Sequence, residues 1–375
     1  MAPRTRSFPI LAAALAAGLT GCASFEDRHA GFEVSPAQWR AGLARRGADL
    51  ADVPNPMALT PAMEAAARDV GGIGHDEDRL TRLRSALLNG RDYTFEYERG
   101  STFSAAEAFE NRRGNCVSFT NLFVALGRSL GIRLQAALVS NRGTSEREGN
   151  VVVVSRHMVA VYGRLDGPSV KVYDFSGTLV EPGGRLTALD DWAVAAIRAS
   201  NDGVVHLGRG ETAAAVRDLD IAVKLAPKLG SLYANLALAK WRAGDVTGAF
   251  ATIERGLVAE PGCPSLLQNL AALYVDWGKP AEARAALAAL DLHSASPYAL
   301  IVRGDLDLQA GNPVAALRSY HKAASLDPTL ADSWLSIARA EFSRGRPDAA
   351  RKAAKKALKR DPTSDAARKF AEAEP

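Results

Sequence analysis

The chain has 375 residues, 47% of them hydrophobic and 23% charged, the make-up of an ordinary globular protein with room for two domains. Its 46 basic and 42 acidic residues give a formal charge of +4, and with Arg4 and Arg6 set aside in a leader the balance is 44 against 42. Such a balance excludes the basic surface that nucleic acid requires, so no nucleic-acid partner is expected.

Met1-Ala2-Pro3-Arg4-Thr5-Arg6 precede an apolar run from Phe8 to Leu19 that is too short to span a bilayer, the pattern of a secretory signal over residues 1–21. The run closes on Leu19-Thr20-Gly21-Cys22, which resembles the lipobox of bacterial lipoproteins. That resemblance implies cleavage before Cys22, lipidation of its sulfur and amine, and a mature protein held to a membrane by acyl chains and facing the periplasm. Ala23 and Ser24 follow without an Asp, which in lipoproteins favours the outer membrane. An ordinary signal peptide with a chance cysteine is the alternative. Residues 22–59 read as anchor and tether, because Ala23 to about Asp52 is polar and Arg-rich with scattered apolar residues.

Pro61 to Val70 and Glu77 to Leu88 then alternate like short amphipathic helices, and Ser104 to Glu110 like a third. Next comes Arg113-Gly114-Asn115-Cys116, where an irregular charged stretch gives way to a helix. Phe119, Leu122, Phe123, Leu126 and Leu130 recur at the spacing of one helical face, and Gly131 stops it. A thiol in a helix's first turn feels the positive end of the peptide dipoles, which favours its anionic, nucleophilic form. The Gly-rich, charged stretch Asn141 to Asn150 reads as a surface loop near the cleft, with gating as the alternative. Val151 to Tyr162 reads as one or two strands, with His157, Val159 and Val161 on one face. Val170 to Phe175 ends a further strand, with Asp174 on the face of Val170 and Val172. If these strands are antiparallel neighbours, Asp174 reaches the far nitrogen of His157 and fixes its tautomer for the thiol.

Cys116 on a helix start, followed by His157 and Asp174 on strands, resembles the transglutaminase-like superfamily over roughly Asp76 to Gly184. The resemblance implies an α+β domain, an open sheet packed on the Cys116 helix, and acyl-transfer chemistry at their junction. For the oxyanion donor the candidates are Asn111, Asn115 and Tyr97, beside the backbone amide of Cys116. Singly, each triad residue has a plainer reading: a buried inert thiol, a strand histidine with a satisfied hydrogen bond, a strand-end aspartate. Their joint order lifts the functional reading. His29, His75, His206, His293 and His321 show no metal-ligand spacing, so neither metal nor other cofactor is expected. With Cys22 lipidated, Cys116 and Cys263 fall in different predicted domains, and an unpaired thiol in an oxidising compartment asks for a role such as catalysis.

From about residue 196 to 373 the chain repeats. Glycines at 210, 244, 278, 311 and 345 follow at intervals of 33 or 34 residues, each with an alanine five positions on: Ala215, Ala249, Ala283, Ala316 and Ala350. Pro227, Pro261, Pro328 and Pro362 recur twelve residues after four of those alanines; the third repeat has Ala295 there and Pro297 slightly later. Gly turns the chain between two antiparallel helices, Ala lets them cross closely, and Pro stops the second. Tyr233, Leu267, Leu300 and Trp334 fill the gaps between repeats, and Ser364 to Glu374 reads as a capping helix. The array resembles the tetratricopeptide repeat. The basic group Arg351, Lys352, Lys355, Lys356, Lys359 and Arg360 is a solvated face, contact with anionic lipid being the minority alternative.

The expected organisation is a transglutaminase-like α+β domain over 60–190, then an all-α tetratricopeptide-repeat superhelix over 191–375. The expected function is a membrane-anchored cysteine acyl-transfer enzyme, hydrolysing or transamidating a protein or peptide held by the concave face of the repeats. The alternative is a non-catalytic periplasmic scaffold that uses the repeats to hold partners.

Overall fold

Side chains of Ser35, Thr60, Ser104, Asn115, Asp190 and Ser296 cap the helices that follow them, and a computed structural model shows how the helices pack. It describes residues 34–372 except 48–49, 51–52, 91–92, 99, 149–150, 166, 168–169, 176–185 and 291–295, with the backbone alone over 140–156. The predicted signal and lipidation site, Met1 to Cys22, lie outside the described residues. Two compact units are formed, one of residues up to 144 with 154–259, the other of 145–153 with 260–375.

In the first unit α1 (Pro36–Arg46) opens on a capping box, Ser35 with Gln38. Its Trp39 and Leu43 are buried, and the Trp39 ring stacks on Trp192 at 5.5 Å, 4° from parallel. This corrects the tether reading of 22–59: two large apolar residues among arginines suffice when a partner surface waits for them. Helices α2 (Pro61–Gly71) and α3 (Asp76–Asn89) follow, then β1 (Glu96–Tyr97), α4 (Ala105–Asn111), β2 (Arg113–Gly114) and α5 (Cys116–Ser129). From Val117 to Gly127 every residue of α5 is buried, Thr120 and Asn121 included. The expected one-sided helix is thus a central one, with α2, α3 and α4 packed on it.

Strands β3 (Leu134–Glu148), β4 (Val151–Tyr162), β5 (Lys171–Tyr173) and β6 (Leu186–Leu189) form one sheet in the order β5-β4-β3-β6. The polar stretch 141–150 is therefore mostly strand, not loop, because backbone pairing along a hairpin does not need apolar side chains. β4 and β5 are antiparallel, with Ala160 opposite Tyr173, and β3 and β6 likewise, with Ala136 opposite Leu189. Phe119 and Phe123 of α5 meet Tyr173 and Phe175 at ring distances of 5.0–6.0 Å, which joins helix to sheet through an aromatic seam. Val159 and Val161 pack with Ala137 and Val139 in a second cluster.

The unit continues through the helical pairs α6 (Asp191–Gly208) with α7 (Thr212–Leu225), and α8 (Gly230–Arg242) with α9 (Val246–Ala259). No seam falls at residue 190. Arg128 near the end of α5 donates from Nη1 to both carboxylate oxygens of Asp191 at 2.9 Å, and both side chains are buried. Arg46 lies over the Trp192 ring at 4.6 Å and donates to the Leu225 carbonyl at 2.9 Å. Compact packing thus continues past the expected change of fold at 190/191 as far as residue 259, because the first repeat helix buries its start against α5 and α1.

The second unit carries α10 (Pro264–Asp276) with α11 (Pro280–Ala288), α12 (Pro297–Gln309) with α13 (Pro313–Leu326), α14 (Ala331–Ser343) with α15 (Pro347–Leu358), and the closing helix α16 (Asp365–Glu372). In both units the periodic glycines turn between paired helices with φ of 67–82°, a region that glycine enters without a Cβ penalty. The five periodic alanines are all buried at the crossings. Of the predicted wedges, Tyr233, Leu267 and Leu300 are buried, while Trp334 is half-buried beneath Lys356 Nζ at 4.1 Å. No helix among the described residues is long and apolar enough to cross a membrane.

Candidate active site

Gly114 makes the entry to α5 possible. Its φ is 150°, and a Cβ there would lie 2.5 Å from Ser118 Cβ, so a side chain is barred by conformation and by space. Asn115 then caps the helix: Oδ1 accepts from the Val117 amide at 3.0 Å and the Ser118 amide at 3.2 Å, and Nδ2 donates to Thr102 Oγ1 at 2.7 Å. Its oxygen is committed to the helix start and one of its two Nδ2 protons to Thr102. Asn111 is exposed and gives one Nδ2 proton to the Glu107 carbonyl one turn back. Tyr97, the third side-chain candidate, is the register partner of Gly114 and 46% exposed, its ring 6.5 Å from Phe119. Beside it stands the Cys116 amide, which is not among those that Asn115 caps.

Cys116 is half-buried and Cys263 is buried, and neither is in a disulfide. Continuing the β4–β5 register past Ala160 and Tyr173 sets Asp174 across from Val159 and diagonal to His157, a spacing that long side chains bridge. His157 Nε2 lies 3.0 Å from Asp174 Oδ1, with 13% and 9% of the two side chains exposed. The N–H does not aim straight at that oxygen, so the contact is an ion pair more than a linear hydrogen bond. The ring also meets the Cys116 side chain. Asp174, then Cys116, pushes His157 up from 6.5 to about 9, against burial, which works the other way. At neutral pH the ring therefore carries its second proton, held between the Asp174 carboxylate and the Cys116 sulfur. Structure thus brings together the three residues singled out by sequence order, in the arrangement from which nucleophilic acyl transfer can proceed.

A separate cavity of about 260 Å³, lined by Val34, Pro36, Trp39, Arg40, Asn55, Ala58 and Leu59, holds no nucleophile. Among the described residues no group of three or more His, Cys, Asp or Glu could hold a metal ion. Ser118 and Thr102 were not singled out from sequence. Ser118 Oγ accepts from the Phe103 amide at 2.8 Å and donates to the Ser101 carbonyl at 3.2 Å, which fastens segment 101–103 to the start of α5. The only sequence signal for this was a hydroxyl two residues after the cysteine.

Comparison with known proteins finds two families along the chain. Residues 64–167 match the transglutaminase-like superfamily core, and residues 203–264 and 307–372 each match tetratricopeptide repeats. The chain therefore carries a transglutaminase-like α+β core followed by an all-α array of tetratricopeptide repeats, an architecture whose repeats serve protein binding. No curated protein matches it. Among solved structures, a thermophilic TPR protein from Thermus thermophilus is 21% identical, with 47% of this chain and 97% of that one covered and a TM-score of 0.43. PilF of Pseudomonas aeruginosa is 17% identical, covering 48% and 83%, with a TM-score of 0.41. The Cut9–Hcn1 hetero-tetramer of the APC/C is 16% identical at a TM-score of 0.42; 46% of this chain is covered, and it spans 35% of that chain.

Proposed function

We propose that the protein is a cysteine acyl-transfer enzyme acting on amide groups of a protein or peptide that its repeats hold. The observation that carries this is the His157–Asp174 ion pair at 3.0 Å on a ring that also meets Cys116. In this reading the Cys116 proton rests on His157 while Sγ, as thiolate, attacks the amide carbonyl, and the Cys116 backbone amide at the helix start steadies the oxyanion. As the C–N bond breaks, His157 gives its proton to the departing nitrogen, and a thioester remains. Water or an incoming amine then loses a proton to His157 and attacks the thioester, which yields acid or new amide and expels the Cys116 thiolate beside the reprotonated ring. Asp174 keeps the ring oriented and stabilises its charge throughout. The leader and its closing Leu19-Thr20-Gly21-Cys22 support a lipid anchor at Cys22 and a periplasm-facing position at the outer membrane.

The test compares periplasmic peptides from cells that express the unaltered protein or Cys116→Ala. Cleaved or transamidated peptides that vanish with the variant are expected. Identical peptide sets, with binding partners still captured by both proteins, would replace the enzyme by the scaffold. For the anchor, Cys22→Ser should leave the signal unprocessed by the lipoprotein route and abolish acyl labelling; equal membrane retention with no label in either form would refute it.

A further inference from the structure

The segment between β1 and α4 is held from two sides. From one side α5 fastens it: the Asn115 amide donates to the Ser101 carbonyl at 3.1 Å, and Asn121 Nδ2 donates to the Phe103 carbonyl at 3.1 Å. From the other side comes α6, the first helix of the repeats. Asn201 Nδ2 donates to Thr102 Oγ1 at 3.1 Å, and Arg198, three residues earlier on α6, pairs with Glu107 at 2.9 Å. Thr102 Oγ1 therefore accepts two amide N–H groups at once, from Asn201 of the repeats and from Asn115, the residue immediately before Cys116.

We propose that Asn201 and Thr102 are positioning residues for Cys116, so that the first repeat is a working part of the active site and not only a handle for partners. The chemistry follows from how an amide is satisfied. Asn115 Oδ1 can face the Val117 and Ser118 amides only while its Nδ2 has an acceptor on the opposite side, and Thr102 Oγ1 is that acceptor. Asn201 in turn fixes the threonine rotamer by donating to the same oxygen. Remove the hydroxyl and a buried Nδ2 loses its partner, so the cap rotates or the first turn of α5 loosens, and the sulfur moves relative to His157. The chain of contacts extends further into the array, since Asn235 of α8 donates to Ser200 Oγ, next to Asn201 on α6, at 3.2 Å. A protein docked on α6 and α8 thereby presses on groups that end at the nucleophile.

This inference rests on the reading of Cys116 as the nucleophile, and the experiment keeps the two apart. The rate of iodoacetamide modification at Cys116 is read by mass spectrometry on the full chain at one mildly acidic pH, with circular dichroism and the thermal unfolding midpoint as the measure of folding. Variants are Thr102→Val, Thr102→Ser, Asn201→Leu and His157→Ala. Thr102→Val and Asn201→Leu should each slow Cys116 roughly fivefold, the equivalent of one ordinary hydrogen bond, while the folded signal is kept. Thr102→Ser, which keeps the oxygen, should react like the unaltered protein, a rescue that a purely packing role for threonine would not give. Unchanged Cys116 rates in Thr102→Val and Asn201→Leu would overturn the proposal, as would a Thr102→Ser rate as slow as that of Thr102→Val. His157→Ala reports separately: if it leaves Cys116 unchanged while Thr102→Val slows it, the relay stands and the catalytic reading falls.

Discussion

Replacing Asp174 by Asn keeps the shape of the side chain and removes its charge, so it isolates the largest influence on His157. In the unaltered protein that ring is held at about 9 instead of 6.5, and at about 1.4 kcal/mol for each pH unit the stabilisation of the charged ring is at most about 3.5 kcal/mol. Because the folded value lies above the unfolded one, this stability is fully present below pH 6.5 and is lost as pH rises through about 9. The assay is a pH titration by NMR of protein labelled at its six histidine rings, with the His157 resonance identified by His157→Gln. The expected midpoint is near 9, falling toward the ordinary range in Asp174→Asn, where burial still opposes the charge and Cys116 alone supports it. Urea unfolding carries the same prediction: the stability difference between the two proteins should be largest at pH 6 and should close by pH 9.5. A His157 midpoint near 6.5 in the unaltered protein, or a stability difference that does not change with pH, would refute the reasoning.

Asp191→Ala strips the partner from a buried arginine and should destabilise the first unit by about 3–5 kcal/mol, seen as a lowered unfolding midpoint; adding Arg128→Met should recover part of that loss. Gly114→Ala forces a Cβ onto Ser118 at a φ of 150°, so it should give either insoluble protein or a folded one whose Cys116 alkylates no faster than Cys263. Trp39→Ala removes the ring stacked on Trp192, and limited proteolysis should then cut in α1 while the later helices remain intact. A fragment beginning at residue 260 should be helical by circular dichroism, whereas one beginning at Trp192 should aggregate, because it bares the face that α6 turns to α1 and α5.

Sequence pattern revealed the repeats because their rules are local: a glycine that must turn, an alanine that must be small and a proline that must stop, at a fixed period. The start of α5 was legible for the same reason, since cap, cysteine and apolar period lie within one short stretch. What failed was long-range. Nothing near Trp39 says that it stacks on Trp192, and nothing near Asp191 says that it is swallowed by Arg128, so a helix was read as tether and the packing across residue 190 was not foreseen. Asn115 was legible as a side-chain amide before a cysteine, but its capping role was not, because only the positions of the Val117 and Ser118 amides show where its oxygen is committed.

Helix α5 carries Cys116 at its first residue and Arg128 one residue before its last. Fourteen residues of α-helix make a strut about 21 Å long, buried on every side for most of that length, which can neither bend nor swivel independently of its surroundings. Its last turn is tied to α6 through Arg128 and Asp191, and its first residue meets the ring of His157, so one rigid element fixes the distance between the base of the repeats and the sulfur.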